Sequence, residues 1–381
     1  MKEPGMNELP LMPENEGIVL FYPNIPENAV EEVGKVLRSR WIGQGPKTEQ
    51  FEREFEKMFL NHNKALAVGS GTDALHLAYI LAGIGPGDEV IVPVFTCTAT
   101  NIPLLYMGAK VRFADVDPKT LNINVNHVKQ LINERTKAIV CVHYAGLPCD
   151  MDELTAISRE YNIPLIDDSA HALGATYKGR NIGEIADFSV FSFQAIKHIT
   201  TGDGGMLTVK NHELLEKAKR VRWFGIDRSA KQMGHWENDI YEIGYKYQMN
   251  DIAAALGLAA LAEFSKTLGY RMQLFAEYEK QLQGLEGIKL IGTGVNDRTH
   301  AAWLCTVLVE NRVEFMKKLR SYKIESSQVH YRNDRYTVFG GRRPDLPEMD
   351  KVEDKYLVLP LHTKMKLQDV EYIGNVVKSG W

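Results

Sequence analysis

Between residues 64 and 209 the chain repeats one pattern: a short apolar run, a stretch with helical spacing, then another apolar run. The runs are K-A-L-A-V (64–68), E-V-I-V-P (89–93), K-V-R-F-A (110–114), A-I-V-C-V-H (138–143), I-P-L-I-D (163–167), F-S-V-F-S-F (188–193) and M-L-T-V (206–209). Mostly continuous apolar strands separated by helices predict an α/β fold, with a largely parallel sheet covered by helices on both faces. In such sheets ligands sit at the carboxyl ends of the strands. Helices are expected before the sheet, over 27–39 and over T-E-Q-F-E-R-E-F-E-K-M-F-L, while the first dozen residues read as loose. After Met249 small apolar residues at helical spacing run on into Y-R-M-Q-L-F-A-E-Y-E-K-Q-L, which predicts one long helix, straight or bent. The expected organisation is a large domain over 1–250, a linking helix over 251–283 and a smaller α+β domain over 284–381, with a strand at 306–309 and a helix in V-E-F-M-K-K-L-R.

Composition narrows the function. The 381 residues leave room for one large and one small domain. A net charge of −4 supplies neither a basic field for nucleic acid nor a polybasic membrane patch. No apolar run approaches the ~18–20 residues that span a bilayer, and M-K-E-P-G-M-N-E-L-P lacks the apolar core of a secretion signal. Cys97, Cys141, Cys149 and Cys305 are scattered without a C-x-x-C, so free thiols in a reducing cytoplasm and no metal site are expected.

Three strand ends carry chemistry. G-S-G-T-D-A-L (69–75) follows one strand and opens a helix. Its free amides and helix dipole suit a phosphate, with Gly69 and Gly71 allowing close approach and Thr72 adding a hydroxyl; a plain capped turn would look the same. L-I-D-D-S-A-H (165–171) ends another strand with two acids, which alternation points in opposite directions, so only one faces the cleft. His171 can face the same ligand, although Asp168 and His171 alone would also suit a cap and a packed histidine. The third is F-S-F-Q-A-I-K-H-I-T-T-G-D-G-G, where Lys197 stands between an aromatic strand and a glycine-rich turn. A buried ammonium needs an acid, a lowered pKa or a covalent bond. Taken alone, Lys197 reads as a surface lysine. Taken with a phosphate turn and an acid on the same sheet, it completes what pyridoxal 5'-phosphate requires: an amine for a Schiff base, a carboxylate for the pyridine nitrogen and a helix N-terminus for the phosphate.

Over nearly its whole length the chain resembles the DegT/DnrJ/EryC1/StrS sugar aminotransferases, pyridoxal-phosphate enzymes of fold type I. The resemblance rests on W-I-G-Q-G-P-K-T-E-Q-F-E-R-E-F, S-G-T-D-A-L, L-I-D-D-S-A-H-A-L-G-A, S-F-x-x-x-K-x-x-T-T-G-D-G-G and I-G-Y-K-Y-Q-M-N-D-I-A-A-A, in that order. It implies that Lys197 is the Schiff-base lysine, that Asp168 partners the pyridine nitrogen, and that His171 contacts the ring hydroxyl. It further implies that Gly71, Thr72 and Ser192 cradle the phosphate, and that Lys246 reaches the phosphate of a neighbouring subunit in a homodimer with shared sites. Two departures stand out. After P-V-F-T the chain has Cys97 where many members place an aromatic ring on the cofactor, leaving the stacking lost or supplied by Phe95 or a neighbour. In V-H-Y-R-N-D-R-Y (329–336) His330 and Tyr331 remain, but Arg332 and Arg335 replace the family's Pro-rich segment. Such a loop suits an anionic substrate portion such as a nucleotide diphosphate, or is a solvated basic loop.

The activity implied is transfer of an amino group from glutamate to a nucleotide-linked keto sugar, giving an amino sugar for a polysaccharide or glycoconjugate. Related sugar dehydratases carry histidine in place of the lysine, and here His198 follows Lys197 directly. The spacing from Ser192 favours Lys197 as the aligned residue. A cofactor-binding regulator, the remaining alternative, would normally carry a DNA-binding module, and none is visible in this acidic sequence.

Overall fold

The computed structural model describes residues 11–235, 237 and 239–381; most of the N-terminal stretch expected to be loose lies outside them. Seven strands form the main sheet, in the spatial order Lys64–Val68, Gly205–Val209, Phe188–Ser192, Leu165–Asp168, Thr136–Val142, Glu89–Pro93 and Lys110–Ala114. The last five are mutually parallel. Gly205–Val209 runs antiparallel to both its neighbours. Glu89–Pro93 and Leu165–Asp168 are buried at every residue, as strands covered on both faces must be.

This topology gathers the chemistry at one edge. Val68 lies opposite Gly205, and Gly205 lies opposite Ser192, while Asp168 ends the next strand. The turn after Val68 lies across Gly205: a Cβ there would fall 2.5 Å from the carbonyl of Ser70 and 2.7 Å from the nitrogen of Gly71. The glycines of T-T-G-D-G-G therefore let the phosphate-type turn approach the strand that carries Ser192.

The motif W-I-G-Q-G-P-K-T is held from the far side of the sequence. Asp251 accepts hydrogen bonds from the amides of Gly45, Lys47 and Thr48 and from the Thr48 hydroxyl, at 2.8–3.0 Å. It satisfies the N-terminus of the helix Pro46–Phe59, whose first amides have no intrahelical acceptor.

The long helix expected after Met249 is two, Asp251–Ala262 and Phe264–Leu282, bent by 61°. The first is small and apolar, and Gly257 lets it approach Phe51. The second is amphipathic and packs on the C-terminal sheet through Leu274, Phe275 and Tyr278. The break lies at Glu263, where one packing surface gives way to the other. Among the described residues no single helix is long and apolar enough to cross a membrane.

The C-terminal region contains a three-stranded antiparallel sheet, Ile288–Leu290, Cys305–Val309 and Tyr356–Leu359. Two connections tie it to other parts of the chain. Glu325 accepts from the amides of Met12 and Leu20 at 2.9 and 2.7 Å, and Ile18 bridges to Ile324. Residues Met12 to Leu20 thus pack against the C-terminal region of the chain. Tyr331–Arg332 pairs antiparallel with Phe95–Thr96, which brings His330 to the active edge of the main sheet.

Candidate active site

Lys197 sits in a loop closed at its base by Phe193 N–H to the Gly204 carbonyl (2.8 Å) and Thr201 N–H to the Phe193 carbonyl (2.9 Å). Its Nζ lies 3.5 Å from the centre of the Trp303 ring. Burial pulls the amine down to about 7, against the attraction of Asp168. His198 points elsewhere: its Nε2 is 2.6 Å from the Ala301 carbonyl, and burial lowers its pKa to about 3.

Asp168 is 4% exposed. Its Oδ2 accepts from the Thr100 hydroxyl at 2.7 Å and its Oδ1 from the Ala170 amide at 3.1 Å. Thr100 is in turn 2.9 Å from the Thr96 hydroxyl, so the P-V-F-T segment aims this carboxylate. Burial raises the Asp168 pKa, while Thr100, the Ala170 amide and Lys197 work against the rise. Asp167 faces the other way and accepts from Ser169 and Ser189 at 2.7 and 2.8 Å. Behind it Cys141, His143 and Cys149 are buried with their donor atoms within 4.8 Å of one another. Two of these groups are engaged: Cys149 donates its thiol to the Val142 carbonyl (3.1 Å) and its amide to His143 Nδ1 (3.0 Å).

His171 is buried and stacks on Trp303 at 3.8 Å and 17°, with His330 parallel to it at 5.2 Å and 9°. His171 Nδ1 and His330 Nε2 are both buried without a hydrogen-bond partner. Burial and the nearby Lys197 charge hold both rings neutral, His171 well below the usual range and His330 at about 3.

At the glycine turn, Ser70 caps the helix Gly71–Leu81 by accepting from the Asp73 amide at 3.0 Å. Ser192 stands beside Gly71, where an added Cβ would come within 3.0 Å of the serine Cβ and 3.3 Å of its hydroxyl. Thr72 is half-buried in the same first turn. Asp73 was not among the residues singled out from sequence; burial raises its carboxyl to about 6 beside this turn. The Gly69 amide donates to the Tyr247 carbonyl at 2.7 Å, which places the 245–248 segment alongside. Lys246 lies 5.4 Å from the Phe224 ring, and its Nζ is 2.9 Å from the Gln248 amide oxygen when that amide faces its donors.

Two expectations require correction. Arg332 is not a free cation for a substrate. It is 1% exposed; its guanidinium binds Asp334 through Nε and Nη2 at 2.6 and 2.7 Å, and its Nη1 meets Asp350 and, at 3.2 Å, Glu353. Arg332→Ala should therefore cost stability, by about 3 kcal/mol because two of its acids are partly hydrated. Denaturant unfolding should show that loss, with the KM for the sugar unchanged in the folded fraction. Arg335 is exposed and lies 4.5 Å from the ring of the half-buried Tyr331. Phe95 does not replace a ring at position 97 either: it is 1% exposed and packs on Tyr144 and Tyr356. Cys97 is half-buried and close enough to Lys197 to act on its charge. The large ring beside the amine is Trp303, in a segment that carried no sequence signal.

The residues present fit pyridoxal phosphate. Two neutral histidines with unpartnered ring nitrogens lie near a buried, depressed lysine, which in turn feels the buried Asp168, and a glycine-lined helix N-terminus stands at the same edge of the sheet. Together with the main sheet these features define a fold type I, pyridoxal-phosphate-dependent aminotransferase. The chain belongs to the DegT/DnrJ/EryC1/StrS aminotransferase family, whose model matches residues 23–378. It is 36% identical over 372 residues to the spore coat polysaccharide biosynthesis protein SpsC of Bacillus subtilis, covering 93% of this chain and 95% of that one. It is 34% identical to the UDP-4-amino-4-deoxy-L-arabinose–oxoglutarate aminotransferase of Shewanella sediminis, with 94% and 97% covered. The crystal structure of the sugar aminotransferase CalS13 from Micromonospora echinospora superposes with a TM-score of 0.90 at 31% identity, covering 96% of this chain and all of the other. The chain is a pyridoxal-phosphate-dependent sugar aminotransferase.

Proposed function

We propose that this enzyme moves the amino group of glutamate to the ketone of a nucleotide-linked sugar, and that two copies of the chain complete each site. The observation that carries the reading is the amine of Lys197, pulled to about 7 at an edge shared with Asp168, His171 and the glycine turn. Bound there, pyridoxal phosphate would supply a carbonyl to carry the amino group and a ring to take up electrons. Gly71, Thr72 and Ser192 would hold its phosphate, and Asp168 would hold a proton at its ring nitrogen. Lys197, near neutrality in both protonation states, is suited to take a proton from the substrate carbon and return it. The Shewanella relative, by name a UDP-sugar–oxoglutarate aminotransferase, supports both the donor and the nucleotide. Incubation with glutamate and a panel of nucleotide keto sugars tests the reading. An amino sugar identified by mass is expected, and glutamate consumption without one would overturn it.

The second copy is supported by apolar side chains at the surface. Ile240, Tyr241 and Ile243 are 53, 80 and 84% exposed just before the G-Y-K-Y segment. A neighbouring subunit would cover them and bring Lys246 to its phosphate. Lys246→Ala should then weaken cofactor retention during dialysis, and removing cofactor should raise the dimer dissociation constant measured by sedimentation. A monomer of full activity would refute this arrangement.

A further inference from the structure

Trp303 is held with unusual firmness for a residue at the end of a loop. Its amide donates to the Ala145 carbonyl at 3.0 Å, as does that of Leu304 at 3.1 Å. The buried Arg271 binds the carbonyls of Ala302, Trp303 and Leu361 at 2.8–2.9 Å. Ala302 and Ala145 both adopt left-handed backbone, with φ of +50° and +58°, a conformation that residues other than glycine seldom take without a local reason. The result is an indole fixed in three ways. His171 stacks on it at 3.8 Å. Its Nε1–H donates at 3.2 Å to the carbonyl of Ile196, the residue before Lys197. The Lys197 Nζ lies over the ring, 3.5 Å from its centre.

We propose that Trp303 is the positioning residue for the Lys197 amine: its face receives Nζ whenever that amine is not bonded to the cofactor, and its Nε1–H registers the loop that carries it. This inference rests on the aminotransferase reading, in which Lys197 must be released and recaptured in every cycle. The attraction of an aromatic face is for the cation. The amine is therefore drawn to the indole after it has gained a proton and let go after it has lost one. An amine with its pKa near 7 exchanges between those forms readily at neutral pH. Protonation and position are thereby coupled in one side chain, and the four-carbon stem does not wander from the site between steps.

The test reads the lysine directly, in the full-length chain freed of cofactor. Lys197 is acetylated over a range of pH and quantified by peptide mass spectrometry, with the exposed Lys266 as internal reference. The protein is prepared with tryptophan and with increasingly fluorinated tryptophans, which keep the ring's shape and weaken its negative face. Removing the attraction removes stabilisation of the ammonium, so the Lys197 midpoint should fall stepwise, by about half a pH unit or more across the series. The Lys266 midpoint should stay fixed. In Trp303→Phe the same fluorinated series should have no effect on Lys197, because the indole that faces its amine is gone. A Lys197 midpoint that does not move with fluorination, or that moves equally in Trp303→Phe, would overturn the proposal. Neither readout depends on the identity of donor or sugar, so a failed sugar panel and a failed titration are separate results.

Discussion

Lys197→Ala is expected to abolish covalent attachment of the cofactor and to lower turnover by about 10⁴-fold or more, the upper end of what one positioned acid–base group contributes. The chain should still fold. Lys197 is half-buried in a loop held by backbone bonds among Phe193, Gly204 and Thr201 and by side chains of Thr200, Thr201 and Trp303, so its own side chain is not what holds the loop in place. Removing a desolvated amine also removes the cost of burying it. Thermal unfolding should therefore show little change, while the visible absorption of lysine-bound cofactor disappears. Noncovalent cofactor should remain, retained through the glycine turn and Ser192. His198 cannot substitute, because its imidazole is directed to the Ala301 carbonyl. A Lys197→Ala variant turning over at the wild-type rate would refute the assignment.

The parts of this site that could be read in the sequence lie at the ends of strands. A run such as L-I-D-D fixes its own register: alternation separates Asp167 from Asp168 without knowledge of any neighbour. G-S-G-T after an apolar strand likewise announces a helix N-terminus. What could not be read depends on contacts between distant segments. Trp303 reaches Lys197 only because Ala145 and Arg271 hold its loop, and nothing in H-A-A-W-L-C carries a period or motif. From sequence Arg332 reads as a cation for an anionic substrate portion or as part of a solvated basic loop, because its acids are dispersed along the chain. Asp334 was close enough to raise the question, but Asp350 and Glu353 meet it only after a short helix folds back. The pairing of Tyr331–Arg332 with Phe95–Thr96 determines which residues of that loop face the cleft, and a two-residue strand leaves no pattern. The bend at Glu263 leaves a trace, the change from small apolar residues to an amphipathic stretch; helical spacing continues through it, so the sequence allows a bend without placing the break.

Asp168→Asn should lower turnover by about 100- to 1000-fold, the scale of losing one preorganised electrostatic group in a water-poor site. Asparagine keeps the shape and can still accept from Thr100 or Ala170, but it brings no charge to hold a proton at the ring nitrogen. In the cofactor-free chain burial favours the neutral carboxyl. A cation placed against it would reverse that preference, since an opposite charge nearby stabilises the carboxylate. The loss in Asp168→Asn should thus fall on turnover and on the affinity for cofactor, with little change in stability, because the substitution relieves a raised carboxyl rather than breaking an ion pair. Asp167→Asn should behave in the opposite sense. That carboxylate accepts from Ser169 and Ser189 and lies 3.8 Å from the buried His143. An amide nitrogen turned toward either hydroxyl competes with its donated bond, so stability should fall by about 1–3 kcal/mol while turnover in the folded protein is largely kept. Denaturant unfolding and steady-state kinetics on the two variants separate the roles. If Asp167→Asn lost turnover and Asp168→Asn lost only stability, the strand would be one residue out of register with the chemistry assigned to it.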